Sequence, residues 1–308
     1  MATNRWIGTT NDWNVTGNWS LGAVPVATND VVFENNSQSV AATLNQSAIA
    51  LASLTIKQSY TGTIGVAPTA TAAPTYLQVD AGTLVIGGHD GDVRPSGSQM
   101  LLLDLGSNAQ VVRIYDSADQ SNDSSKMPIR LLGTNSASTL EVFSGKVSIA
   151  QEWPTESAQF ATIDVADSRS ILLSTGAGVT LTKLRAAGGR TSVRAAGTTH
   201  EYYGGAHQVF GSSAMPTLEA VGGELSPFGT FTISSANMNG GSLVSNSTGT
   251  ISTFTFAMGV SHVDFSKIPS ARTISALRWN GGAGTIVYNE NVTVTSMLAP
   301  TGTRFTSG

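Results

Sequence analysis

Apolar residues recur at every second position in short runs, separated by polar or glycine-bearing breaks. Leu77-x-Val79, Leu84-x-Ile86, Leu101-x-Leu103-x-Leu105, Leu140-x-Val142, Val147-x-Ile149, Val179-x-Leu181, Phe254-x-Phe256 and Val292-x-Val294 all follow this spacing. A period of two places the apolar side chains on one face of an extended segment, so each run predicts a short β-strand with one buried face. Helical periodicity is scarce. Ser47 to Leu54 is alanine-rich and suits a short helix, yet Ile49, Leu51, Leu54 and Ile56 suit a strand nearly as well. The polar stretch from Asp116 to Lys126 reads as a surface insertion, and no linker divides the chain.

One phrase repeats. Leu77-Gln-Val79-Asp-Ala-Gly82-Thr-Leu84-Val-Ile86 and Leu140-Glu-Val142-Phe-Ser-Gly145-Lys-Val147-Ser-Ile149 share the pattern L-x-V-x-x-G-x-[LV]-x-I. Fainter echoes are Leu184-Arg-Ala186-Ala-Gly188-Gly189, Leu218-Glu-Ala220-Val-Gly222-Gly223 and Leu277-Arg-Trp279-Asn-Gly281-Gly282. The physical reading is strand, glycine corner, strand, because glycine takes backbone angles that other residues avoid. The first two copies lie 63 residues apart and the next echo 44 further on. Both separations are near multiples of about 21 or 22, the length expected for one turn of a parallel β-helix. The chain is therefore expected to be all-β, a right-handed parallel β-helix, with β-sandwich or jelly-roll domains as the alternative. Residues 1–46 would form a tryptophan-rich capping segment and residues 47–308 the rungs.

Composition agrees. Of 308 residues only 12% are charged, with 5 Lys and 8 Glu, whereas Ser and Thr supply about a quarter. Exposed helix faces need the charged residues that are missing here, and Thr, Ser and Val suit the outer faces of sheets. A net charge of -4 argues against nucleic-acid binding, which requires clustered cations. Without cysteine there are no disulfides, thiolate zinc sites or thiol catalysis. No apolar run is long enough to cross a membrane as a helix, and no secretory leader is evident at Met1 as written. The expectation is a protein made and kept inside the cell, or assembled there into something larger.

Trp6, Trp13 and Trp19 gather three of the five tryptophans near the start. Gly17-Asn18-Trp19-Ser20-Leu21-Gly22-Ala23-Val24-Pro25 then leads to Asn29-Asp30-Val31-Val32-Phe33. This segment, about a tenth of the chain, resembles the opening coil of right-handed β-helix proteins among autotransporter-like passengers and phage structural proteins. In those families a G-N-W-S…V-P…D-x-V-x-F phrase precedes the first full rungs. An autotransporter would add an export signal and a membrane barrel, neither of which is recognisable in this sequence, so the resemblance points to the phage structural kind. The three tryptophans are read either as an apolar cap over the first rung or as a sugar platform or partner anchor.

Catalytic patterns are absent from the sequence. The N-T-D, D-D, G-H-G and R-x-K phrases of polygalacturonase-like enzymes do not occur, nor do H-E-x-x-H, G-x-S-x-G, S-x-x-K or a phosphate-binding loop. His89-Asp90-Gly91-Asp92, with Asp80 and Asp104 nearby, is the nearest approach to an acidic metal or lyase site, but Asp-Gly after a strand is first of all a turn. His89, His200, His207 and His262 are scattered and read as surface or loop residues, and Arg185, Arg190 and Arg194 form a local basic group. The sequence therefore predicts a non-enzymatic capsid decoration or cement protein on a phage virion, without cofactor or metal. Its partner would be the major capsid protein, and it would assemble as a homo-oligomer, a trimer being favoured. Contacts are expected at Trp6, Trp13, Trp19, Tyr202, Tyr203 and Trp279. A glycan-binding head fibre or adhesin is the alternative, and a polysaccharide-degrading enzyme acting through Asp90 and Asp92 a more distant one.

Overall fold

A computed structural model describes residues 1–87, 100–116, 127–151, 153–168, 171–194, 196–211, 215–256, 261–268, 270–281 and 284–299. The run His89–Asp92 and the expected insertion beyond Asp116 lie outside these residues. Among them are 24 β-strands and one 3-10 turn, Thr16–Asn18, with no α-helix. Every registered strand pairing is parallel, and strands close in space are one coil apart in sequence. The protein is a parallel β-helix. Ser47–Leu54 lies within the strand Asn45–Ile56, which also crosses the expected boundary at residue 46.

The chain forms two compact units, residues 1–163 with 170–180, and residues 164–169 with 181–308. In the first unit, six strands stack so that Trp6, Phe33, Ile56, Ile86, Ile114 and Val142 fall in one register column. A second ladder aligns Leu101, Ile129, Val147 and Leu173. All ten side chains are buried. Parallel pairing forces this alignment, because each strand sits one hydrogen-bonded spacing, about 4.8 Å, from its predecessor. An inward residue thus always meets the inward residue of the next coil, and a fully buried aliphatic chain contributes about 1.5–3 kcal/mol.

Coil length scatters around the sequence-based expectation of 21–22 residues. It is 23 from Phe33 to Ile56 and again from Phe256 to Trp279, but 28 through Ile86, Ile114 and Val142, and 18 through Tyr202, Ala220, Met238 and Phe256. The repeated phrase misled because its two copies fold differently. Gly82 lies inside one continuous strand, Leu77–Ile86, whereas Gly145 turns the chain at φ 94° between Thr139–Val142 and Lys146–Ile149.

The second unit makes its corners from stacked glycine pairs. Gly188-Gly189, Gly204-Gly205, Gly222-Gly223 and Gly240-Gly241 occupy successive coils, and the second glycine of each has φ between 72° and 85°. Two demands coincide there. The positive φ disfavours any residue with a Cβ, and the coils approach so closely that a Cβ at Gly223 would stand 2.7 Å from backbone atoms of Gly204 and Gly205. That approach lets the Gly205 carbonyl accept a hydrogen bond from Glu224 N, and the Gly223 carbonyl one from Ser242 N, both at 2.8 Å.

The pair of demands separates two glycine variants. Gly223→Ala should cost about 3 kcal/mol or more in urea unfolding, since it combines backbone strain with overpacking against a neighbouring coil. Gly106 has a similar φ of 67° but nothing within 4 Å of its Cβ position, so Gly106→Ala should cost only about 1 kcal/mol.

Candidate functional site

The three N-terminal indoles are interior. Trp6, Trp13 and Trp19 are 1%, 0% and 1% exposed. Trp19 meets Trp6 and Trp13 edge-to-face at 5.0 and 4.6 Å, and all three rings lie within 6.1 Å of Phe33. Their position follows from register, because Trp6 pairs with Phe33 and so heads the buried column of the first unit. Trp6 Nε1 donates to the Gln38 carbonyl at 3.0 Å, and Trp19 Nε1 to the Trp13 carbonyl at 2.7 Å. Asn18 of the G-N-W-S phrase is wholly buried. Its amide donates to Asp12 O and Thr10 Oγ1, both at 2.7 Å, while its Oδ1 accepts from Thr9 N. The phrase therefore encodes a packed cap. Its ring faces are spent on one another, which corrects the reading of these tryptophans as a sugar platform or partner anchor.

Tyr202 is also buried, at 1% exposed, because it shares the inward face of Ala196–Tyr202 with His200. His200 and His207, read from sequence as surface or loop residues, are inside. His200 is in register with Leu218, and His207 with Leu225, so each occupies a position that is aliphatic one coil later. His207 Nε2 donates to the Gly204 carbonyl, which leaves Nδ1 to accept from Thr191 Oγ1 at 3.0 Å. His200 Nδ1 lies 3.2 Å from the Tyr202 hydroxyl, and its Nε2 has no partner. Burial pushes His200 down to about 4, lowers His207 as well, and raises the Tyr202 phenol. The cluster is neutral at physiological pH.

The remaining expected contacts are outward or half-buried. Tyr203 is exposed at the first glycine corner beyond Tyr202, with the Arg185 guanidinium 6.0 Å above its ring. Its hydroxyl donates to Glu201 Oε2 at 3.3 Å, and Lys183 binds Glu201 Oε1 at 2.7 Å. Glu219 is in register with Glu201 one coil on, and its Oε1 accepts from Asn237. Trp279 is half-buried and packs on Phe256 one coil before it, 4.4 Å between centroids. Of the six expected residues, the structure thus gathers Trp6, Trp13 and Trp19 into one buried cluster, buries Tyr202, and leaves Tyr203 exposed and Trp279 half-buried.

Two surfaces that sequence reasoning missed are better candidates. On the outside of the first unit, Tyr115 and Phe143 stack nearly parallel, 4.8 Å apart with an interplanar angle of 6°, and are 36% and 40% exposed. They follow Ile114 and Val142, which pair in register, so the stack is built by the ladder itself. Phe210 and Phe228 repeat the arrangement in the second unit, with Arg194 above Phe210. The first unit also has a cleft of about 430 Å³ lined by Leu44, Asn45, Tyr76, Gln78, Asp104 and Leu132 among others. There Tyr76 donates to Glu156 Oε1 at 2.7 Å, and Gln78 Nε2 to Asp104 Oδ2 at 3.4 Å. Among the described residues no group of three or more His, Asp or Glu side chains could hold a metal ion. No protein-family model, curated protein or solved structure matches the chain.

The internal histidines set a pH dependence. His200 takes up a proton near its ordinary value of 6.5 in the unfolded chain, but only near 4 in the folded one. The unfolded state therefore binds more protons between these values, and stability falls as pH drops from about 6.5 to about 4. The loss should approach ~3 kcal/mol, read as a lower urea midpoint at pH 4.5 than at pH 7.5. His200→Phe should flatten that profile.

Proposed function

We propose that this protein is a non-catalytic structural component of a phage virion, a decoration or cement protein that docks on the capsid lattice. It acts at the capsid surface as a homo-oligomer, trimeric in the favoured form, with the major capsid protein as partner and no cofactor. The N-terminal G-N-W-S…V-P…D-V-V-F phrase supports the reading through its resemblance to the opening coil of phage β-helix proteins. The stacked ladder supports it mechanically, since each coil is hydrogen-bonded to the coils before and after it and local opening is costly.

The observation that carries the proposal is the outward pair Tyr115 and Phe143. Stacked aromatic rings on a fixed backbone are already ordered, so covering them immobilises little that is not held beforehand. Large aromatic side chains are the residues most often decisive at interfaces. The scarcity of charge on the chain also lowers the cost of covering its faces.

A second reading rests on the cleft. A tyrosine beside an amide–carboxylate pair, Gln78 with Asp104, suits a neutral polyhydroxylated ligand such as a glycan. The two readings part in one experiment, co-sedimentation with capsid shells assembled without this protein from the proposed partner, the major capsid protein. Wild-type protein should co-sediment, and Tyr115→Ser with Phe143→Ser should bind at least about tenfold more weakly while unfolding at a similar urea concentration. Failure of the wild type to bind shells, together with binding to a glycan array that Tyr76→Ala abolishes, would replace the capsid role with the glycan role.

A further inference from the structure

An asparagine followed by glycine is prone to lose its side-chain amide, because glycine has no side chain to hinder attack by its own nitrogen. The chain has two such pairs, Asn239-Gly240 and Asn280-Gly281. Both stand at the same corner of the second unit, two coils apart. Met238, Phe256 and Trp279 share one register column, and the asparagines follow Met238 and Trp279 directly. Each asparagine is tied to the coil before it, with Asn239 N donating to Ala220 O at 2.7 Å and Asn280 N to Phe256 O at 2.9 Å. Both asparagines are exposed.

The glycines that follow them differ. Gly240 is buried, and a Cβ there would collide with the Val221 carbonyl of the preceding coil. Gly241 is held in the same way, its Cβ position 2.5 Å from the Gly223 carbonyl oxygen and 2.7 Å from the Gly222 backbone. Gly281 is half-buried, and beyond its chain neighbours no heavy atom lies within 4 Å of its Cβ position. Its N–H and the Asn280 side chain have no hydrogen-bond partner among the described residues. Reaction requires the Asn–Gly peptide group to turn until the glycine nitrogen meets the asparagine Cγ. A coil packed against that peptide resists the turn, and open space permits it.

We propose that Asn280 is a self-modifying site, losing its amide in the folded protein while Asn239 keeps its own. The Gly281 nitrogen attacks Asn280 Cγ and gives up its proton. The bond from Cγ to the amide nitrogen breaks, and that nitrogen leaves as ammonia. Water then opens the cyclic succinimide at either of its carbonyls, leaving aspartate or isoaspartate at position 280. The sum is amide plus water giving carboxylic acid plus ammonia, with no oxidant or reductant. Either product adds one negative charge on the outward side that also carries the exposed Arg278, two residues earlier. Isoaspartate also lengthens the main chain by one carbon, for which the corner at Gly281 has room.

The test incubates the full wild-type chain at mildly alkaline pH, once folded and once in urea. Peptide mapping with fragmentation then locates the amide-to-acid change at each asparagine. In the folded protein Asn280 should convert at least about tenfold faster than Asn239, which reacts only when its coil opens. In urea the two rates should agree within about threefold, since both are then Asn-Gly pairs in an open chain. Conversion of Asn280 should slow at mildly acidic pH, because the attacking nitrogen must shed its proton. Equal rates at the two sites in the folded protein, or a faster reaction at Asn239, would overturn the proposal. So would an Asn280 that converts only in urea.

Discussion

Parallel hydrogen bonding between successive coils is the constraint on which everything else in this protein rests. It fixes the coils about 4.8 Å apart and admits no sliding, because a shift of one residue would turn every inward side chain outward. Each position is thereby matched to one counterpart on the coil before and one on the coil after. The column from Trp6 through Phe33 and Ile56 to Val142 is one result. The glycine corners are another. A coil that must come within hydrogen-bonding distance of its neighbour leaves no room for a Cβ at the bend, so Gly204, Gly222 and Gly240 recur where the preceding coil presents a carbonyl.

The same constraint accounts for the distribution of polar groups. A column can be polar only where a coil supplies internal partners, and the structure meets that condition at two places in the second unit. Thr191, His200, Tyr202 and His207 satisfy one another and the Gly204 carbonyl, apart from His200 Nε2. Ser245, Ser247 and Arg272 form the other group, and its balance of charge is left open. Outside, ladder stacking turns single aromatic residues into flat pairs such as Tyr115 with Phe143. The interior chemistry therefore belongs to stability, and under the proposed function the outward pairs are where a partner would be met.

Much of the architecture was legible in the chain. The two-residue period fell on strands at Leu101–Asp104, Thr139–Val142 and Lys146–Ile149 and on parts of Leu77–Ile86 and Asn246–Phe256, and low charge with abundant Ser, Thr and Gly pointed to stacked sheets. The lengths of individual coils were not legible, because the L-x-V-x-x-G phrase looks the same whether its glycine sits within a strand, as at Gly82, or at a corner, as at Gly145. The doubled glycines carried the better signal. Counting from Gly204-Gly205 to Gly222-Gly223 and Gly240-Gly241 gives the 18-residue coil directly. His200 and Tyr202 share an inward face with the same alternation as Leu218 and Ala220, a signal that only becomes readable once that spacing is known. The burial of the tryptophans depends on Trp6 meeting Phe33, a long-range pairing that no local pattern reveals. The Tyr115–Phe143 stack was hidden for the same reason.

The absence of cysteine makes the central claim directly measurable, since labels can be placed without removing any native thiol. Glu201, Glu219, Asn237, Thr255 and Arg278 occupy one register column across five consecutive strands. Spin labels on cysteines replacing Glu201 and Arg278 should therefore report backbone positions about 19 Å apart, four inter-strand spacings, in a narrow distribution. The pair at 201 and 255 should be shorter by one spacing. A broad distribution, or a 201–255 separation equal to or longer than that of 201–278, would contradict the stacked parallel coil.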